Sequence, residues 1–239
     1  MRVNRWLTRI DDTAAGSTTS HRLFAYMGGL LVLVTVMFSN VIGPGGASAA
    51  SARLKIVALG DSLTAGYRLR PDEAFPVQLL AALKLKGIDA DIINAGVSGD
   101  TATGGLERLD WSVPPGTQAV ILELGANDAL RGIDPAQTYK ALDTIITRLK
   151  QRGIEVLLAG IEAPRNLGDE YARKFNAIYA DLAKRHDLIL HPFFLQGVVL
   201  DAGLTLDDRM HPNAKGVAVI VQNIVPRVLA MLDRIKKPA

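Results

Sequence analysis

Leu54-Lys55-Ile56-Val57-Ala58-Leu59 runs straight into Gly60-Asp61-Ser62-Leu63-Thr64-Ala65-Gly66-Tyr67. The first six residues read as a buried strand, and the following residues as a turn that leads into a helical, periodic segment. Ser62 therefore stands where a buried strand ends and the chain reverses. In open α/β sheets that rim is where ligands bind. A plainer role competes, since Asp61 or Ser62 is also a suitable cap for the next helix. The stretch alone leaves both roles open, and the rest of the chain has to decide.

Working outward, strand and helix patterns alternate about five times. Phe75 to Lys86 predicts a helix with Phe75, Leu79, Leu80 and Leu83 on one side, stopped by Gly87. Asp91 to Asn94 reads as a short strand and Thr101 to Leu109 as a short helix, and Ala119 to Leu124 is the clearest buried strand. Asp134-Pro135 is a cap with proline at the first helical position, and Leu142, Ile145, Ile146 and Leu149 continue a stripe that Gly153 closes. Glu155 to Ile161 is the next strand, Tyr171 to Arg185 a helix, and Leu188 to Leu190 a short strand. A last helix starts at Asn213, and Pro226 is expected to kink or end it. This order predicts a parallel sheet with helices on both faces.

The first residues read differently. Arg2, Arg5, Arg9 and Arg22 precede an uncharged run from Leu23 to Ala52, whose apolar centre is Leu23 to Ile42 and whose end carries Ala-x-Ala patterns. A basic start, an apolar middle and such an ending describe an export signal. The apolar run is also about long enough to span a bilayer, which takes roughly 20 residues. Residues 1–52 are thus expected to be a signal peptide or an uncleaved N-terminal membrane anchor with a flexible leader, and residues 53–239 one globular domain. Either outcome puts Arg53 onward outside the cytoplasm, in the periplasm, secreted, or tethered to the inner membrane. Any membrane association is expected through this leader.

Composition narrows the function. The formal net charge is +3, and the four leader arginines account for much of it. No basic stripe in the body points to nucleic acid. The chain has no cysteine, which excludes disulfides, thiolate metal sites and a cysteine nucleophile. No H-E-x-x-H, Walker A, dinucleotide-glycine or G-x-S-x-G pattern occurs, so neither a metal nor a cofactor is expected.

In a parallel sheet the strand ends share one edge, so Ser62, Gly99 and Asn127 can be neighbours although far apart in sequence. Attack on an ester carbonyl needs a hydroxyl, a histidine to take its proton, and a carboxylate to hold that ring. Asp208 lies three residues before His211 on a tight loop, a spacing that lets the carboxylate reach Nδ1 and leaves Nε2 for Ser62. The oxyanion needs donors placed beforehand. The backbone N–H groups of Ser62 and Gly99 and the side-chain amide of Asn127 are suitable types. Plainer roles remain here too: Asn127-Asp128 as a helix cap or Asx turn, Gly99 as a residue permitting a positive φ, and Phe193-Phe194-Leu195 as ordinary core.

Gly60-Asp61-Ser62-Leu63, Gly99 in Ser98-Gly99-Asp100, Gly125-Ala126-Asn127-Asp128 and Asp208-x-x-His211 together resemble the four blocks of the SGNH (GDSL) hydrolases. The body is similar to the branch containing bacterial thioesterase I/lysophospholipase L1 and arylesterases. The resemblance implies a flavodoxin-like three-layer α/β/α sandwich with a five-stranded parallel sheet. It implies hydrolysis of esters and thioesters, with Ser62 as nucleophile, Asp208 and His211 as its partners, and Ser62, Gly99 and Asn127 in the oxyanion hole. Leu130, Pro164 and Asn166 are the expected substrate contacts, the last two in a segment that resembles the family's mobile substrate loop. Ala126 stands where relatives often carry glycine. Arg209 follows Asp208 where glycine is common, and is expected to tilt the loop or to favour an anionic leaving group. The alternatives are a carbohydrate acetylesterase of the same superfamily and a non-catalytic envelope binding module.

Overall fold

In the computed structural model, which describes residues 53–236, the opening apolar run forms β1 (Leu54–Gly60). The signal or anchor segment expected over residues 1–52 lies outside the described residues. The other strands are β2 (Ala90–Gly96), β3 (Ala119–Glu123), β4 (Glu155–Ala159) and β5 (Ile189–His191). The helices are α1 (Ser62–Ala65), α2 (Phe75–Lys84), α3 (Ala102–Glu107), α4 (Leu109–Ser112), α5 (Ala126–Leu130), α6 (Pro135–Gln151), α7 (Asp169–His186) and α8 (Ala214–Lys236).

All strand pairs are parallel, in the order β2-β1-β3-β4-β5. Right-handed crossovers then dictate the layers. The step from β1 to β2 runs one way across the sheet, and those from β2 past β1 to β3, β4 and β5 run the other. So α2 covers one face, while α3, α6 and α7 cover the opposite one. The helix contacts agree: α8 returns to pack beside α2, and α6 packs between α3 and α7. The result is the flavodoxin-like three-layer α/β/α sandwich. Both faces of the central strands are covered, which is why β3 is buried along its whole length and reads as an apolar run up to Glu123.

The sequence of α8 would also suit a membrane span by length and apolarity. Here its apolar stripe, including Val217, Ile220, Ile224, Val228 and Met231, is buried in the core. Burying each such side chain stabilises the fold by about 1.5–3 kcal/mol. That burial explains a correction. Pro226 does not end the helix, which runs on to Lys236. Pro226 itself faces solvent, and the buried residues on both sides of it offset the cost of about 3 kcal/mol for a mid-helix proline.

Register brings the turns together. Gly60 pairs with Gly96 of β2 and with Glu123 of β3, so three strands end level. A Cβ on Gly60 would lie 2.1 Å from Thr64 Oγ1 and 2.6 Å from Glu123 Oε2, so the tight exit from β1 tolerates no side chain there. The strand order reverses between β1 and β3, the switch point at which open α/β sheets form a crevice. Ser62 follows β1 and Asn127 follows β3, one on each side of that crevice.

Candidate active site

The exit from β1 is a built turn. Asp61 is the N-cap of α1, its Oδ1 accepting from Leu63 N at 3.0 Å, and Gly66 closes the short helix with a φ of +83°. Ser62 is thereby lifted to the first helical position at the end of the buried strand.

His211 reaches Ser62 from the far end of the chain. The loop that carries it is pinned at its base: Leu206 N donates to His211 O at 2.8 Å, Asn213 N to Leu204 O at 2.9 Å, and Thr205 pairs with Pro212 in an antiparallel bridge. Asn213 locks this base to α8. Its Oδ1 accepts from Lys215 N and Gly216 N, and its Nδ2 donates to Gly203 O and Thr205 O. Within the loop Asp208 Oδ1 accepts from the N–H groups of Met210 and His211, both at 2.9 Å, and Oδ2 lies 2.7 Å from His211 Nδ1. His211 Nε2 is 3.0 Å from Ser62 Oγ. A continuous chain Asp208–His211–Ser62 results. Tyr67 lies against the imidazole with ring centroids 4.5 Å apart.

Electrostatics separates the two aspartates of this region. Burial works against the Asp208 charge, but the N–H groups of His211 and Met210 and the neighbouring ring outweigh it and hold the carboxyl at about 2. Asp61 is driven the other way. Burial pushes it up to about 6, against the opposing hydrogen bonds from Leu63 and Asn127. Beneath it Glu123 is fully buried and raised well above the usual carboxylate range by burial and by the charge of Asp61. Glu123 Oε2 accepts from Thr64 Oγ1 at 2.7 Å and from Asp61 N at 3.4 Å.

The three expected oxyanion donors do not stand alike. The N–H groups of Ser62 and Gly99 have no acceptor among the described residues. Gly99 has a φ of +85°, and its carbonyl accepts from Arg131 at 2.8 Å. Both hydrogens of the Asn127 amide are engaged, one with Asp100 O at 3.0 Å and one with Asp61 Oδ2 at 3.2 Å. Asp128 serves the scaffold, accepting from Ala102 N at the start of α3 and from Thr138 on α6.

A cavity of about 650 Å³ opens beside Ser62 and His211. Leu130 and Pro164 line it, as do Phe193 and Leu195. Asn166 does not; it is exposed on the turn Arg165–Leu167. Phe194 is fully buried and packs edge-on against Phe75 with centroids 5.1 Å apart, so the Phe193-Phe194-Leu195 run divides between pocket wall and core. Val199, Leu200 and Met210 complete the apolar wall, and no sequence pattern marks them. Among the described residues no three His, Asp or Glu side chains gather to hold a metal ion. His186 pairs with Asp143 at 2.6 Å, and His191 is buried at the end of β5, where burial and then the charge of Arg227 lower its pKa.

Beneath the turns lies a residue that the sequence pattern does not mark. Arg108 is buried, and its guanidinium donates to Asp100 Oδ2 at 2.6 Å, Ala95 O at 2.8 Å, Ser112 Oγ at 3.0 Å and Gly60 O at 2.8 Å. One side chain thus ties the ends of β1 and β2 to the loop that carries Gly99.

Known proteins are similar to this chain in sequence and in fold. A model of the GDSL-like lipase/acylhydrolase family matches residues 58–219. An arylesterase from Vibrio mimicus is 36% identical over 186 residues, covering 77% of this chain and 93% of the relative. The thioesterase 1/protease 1/lysophospholipase L1 of Escherichia coli K12 is 41% identical over 165 residues, covering 69% of this chain and 78% of the relative. The crystal structure of AlinE4, an SGNH-hydrolase family esterase, is 43% identical and superposes with a TM-score of 0.64, covering 78% of this chain and 98% of that one.

Proposed function

The chain belongs to the GDSL-like lipase/acylhydrolase family, and from that premise we propose that it hydrolyses carboxylic esters and thioesters through an acylated Ser62. The observation that carries this reading is the chain of contacts from Asp208 through His211 to Ser62 Oγ, with links of 2.7 and 3.0 Å. As Ser62 Oγ attacks the carbonyl carbon, His211 Nε2 takes its proton. Asp208, charged throughout the neutral range, fixes the ring with Nδ1–H toward itself and stabilises the imidazolium. The carbonyl oxygen becomes an oxyanion and takes the unengaged N–H groups of Ser62 and Gly99. A third bond from Asn127 requires the 3.2 Å contact with Asp61 to be exchanged for the substrate. Each such donor contributes about 2.7–4 kcal/mol to the transition state. The intermediate collapses as His211 protonates the leaving alcohol or thiol, and water then repeats the sequence on acyl-Ser62.

The cavity supports a longer acyl group rather than acetate alone. Its walls are mainly aliphatic and aromatic, and its volume of about 650 Å³ exceeds what an acetyl group fills. The exported location rests on the sequence of residues 1–52, and the N-terminus of the mature protein from the cell envelope tests it.

The central experiment is labelling with an alkyl fluorophosphonate followed by peptide mapping. The adduct is expected on Ser62, with turnover of p-nitrophenyl hexanoate abolished in Ser62→Ala. An adduct elsewhere, or undiminished turnover in the variant, refutes the mechanism.

A further inference from the structure

Tyr67 is placed by the same turn that presents the nucleophile. The Ser62 carbonyl accepts the N–H of Gly66 at 3.2 Å and that of Tyr67 at 3.1 Å. Gly66 turns the chain with its φ of +83°, and a Cβ there would lie 2.7 Å from that of Ala74. The Tyr67 ring then lies against the His211 imidazole, with centroids 4.5 Å apart and planes inclined by 38°. Core packing does not account for this aromatic, since it is 40% exposed. Tyr171 and Tyr179 donate their hydroxyls to Ile133 O and Leu124 O, whereas the Tyr67 hydroxyl bonds to no other described residue. Nor does Tyr67 wall the acyl site: His211 lines the cavity and Tyr67 does not. Its ring is left to back the imidazole.

Two atoms hold the imidazole in its own plane, Asp208 Oδ2 at Nδ1 and Ser62 Oγ at Nε2, at 2.7 and 3.0 Å. The second contact does not last through the reaction. Once Ser62 Oγ carries the acyl group it has no proton to give, and Nε2 has to serve an incoming water instead. Asp208 then fixes only one edge of the ring, and a ring packed on the imidazole face supplies the missing constraint. That ring also presents a negative π-face, which favours the imidazolium formed as the water proton arrives on Nε2. The water oxygen bonds to the acyl carbon, the bond from that carbon to Ser62 Oγ breaks, and Nε2 returns the proton to Oγ as the carboxylic acid leaves.

We propose that Tyr67 is a positioning residue for His211, whose ring keeps the imidazole aimed during hydrolysis of acyl-Ser62, the half of the reaction in which Ser62 no longer holds it. This rests on the reading of Ser62 and His211 as the reacting pair. Tyr67 acts through the face of the imidazole and not on the substrate, so its loss slows deacylation more than acylation.

The test reads the two halves of the reaction against each other. Under saturating p-nitrophenyl hexanoate, the steady-state ratio of acylated to free protein equals the rate constant of acylation over that of deacylation. Acid quench and intact-mass spectrometry measure it, counted per site that an alkyl fluorophosphonate labels, so that misfolded protein drops out. In Tyr67→Leu the ratio is expected to rise about fivefold, the worth of one cation–π contact at a partly exposed site. Tyr67→Phe keeps the ring without the hydroxyl and is expected to bring the ratio back to within about twofold of the wild type. A substitution that merely disturbed the turn would misplace Ser62 and slow acylation, which lowers the ratio instead. A Tyr67→Leu ratio equal to or below that of the wild type overturns the positioning role, as does a Tyr67→Phe ratio that matches Tyr67→Leu. If the wild type still acylates Ser62 and turns over, only the role of Tyr67 falls; if it forms no acyl-Ser62, the esterase reading falls with it.

Discussion

Replacing Arg108 by methionine should damage both the fold and the reaction. The substitution keeps an unbranched, bulky side chain but removes four hydrogen bonds: to Asp100, Ala95, Ser112 and Gly60. The arginine side chain is 7% exposed and that of Asp100 15%, so water does not readily replace the lost partner. Breaking such a pair from one side typically costs about 3–5 kcal/mol, because it leaves a buried charge uncompensated. The carbonyls of Ala95 and Gly60 would each lose one donor as well, although Gly60 O keeps the N–H of Val97 at 3.0 Å and such costs in one network do not simply add. A net loss of about 3–5 kcal/mol is therefore expected, or a fall in Tm of about 6–20 °C for a domain of this size. Thermal and denaturant unfolding followed by circular dichroism measures it. Asp100 O also accepts from Asn127 Nδ2, so loosening Asp100 is expected to lower kcat more than it changes KM. Asp100→Asn supplies the control. If the two side chains work as a pair, Arg108→Met combined with Asp100→Asn loses about 2 kcal/mol less than the two singly summed. A loss below about 1 kcal/mol in Arg108→Met, or full additivity in the double variant, would refute this account of the clamp.

Two further outcomes follow from buried groups and backbone. Glu123 holds its proton in the folded state well above the usual pKa, so stability is fully present below the unfolded value and is lost as pH rises toward the folded one. Glu123→Gln cannot release that proton, and its Tm from pH 5 to 8 should vary less than that of the wild type; an identical slope in both proteins would remove Glu123 from the explanation. Pro226→Ala restores a helical N–H at an exposed position of α8 and should stabilise by about 2 kcal/mol, the helix gain of about 3 less the chain entropy that proline withholds from the unfolded state. Unchanged or reduced stability in urea unfolding would show that α8 has adapted to the proline.

The layers are legible in the sequence because strands covered on both faces are apolar along most of their length, as Ile56 to Leu59 and Ala119 to Leu122 are. The edge strand is longer than its pattern suggests. β2 extends from Ala90 to Gly96, but it is only half covered, and exposed Asn94 breaks the pattern. The turns at the strand ends are legible for a different reason. They combine glycine with small polar residues in spacings that few plain loops need. The clamp is not legible. Arg108 and Gly60 lie 48 residues apart, and an arginine in a helical segment reads as a solvated side chain until the fold closes over it. Glu123, a charge at the end of an apolar strand, hides in the same way. The pocket wall is half legible, since Phe193 and Phe194 are adjacent and alike in chemistry, and only the packing against Phe75 sends one of them into the core.

The two aspartates beside Ser62 show why adjacency in sequence misleads. Asp61 is bonded to the candidate nucleophile, while Asp208 lies far along the chain. A carboxylate that stabilises an imidazolium must stay charged when the ring becomes charged and must face its N–H. Asp208 meets both conditions, because two backbone N–H groups hold one oxygen and the ring faces the other. Asp61 meets neither. Its oxygens are taken by Leu63 N and by Asn127 Nδ2, and burial over Glu123 lifts it to about 6, so its charge is lost on mild acidification. What Asp61 can do instead is govern the donor opposite it. It accepts the longer and weaker of the two Asn127 amide bonds. Exchange of that bond for the substrate oxyanion keeps Asn127 oriented before reaction and releases one hydrogen during it. The division of labour is therefore set by what surrounds each carboxyl: one is held charged to serve His211, and the other is held in the turn to orient Asn127.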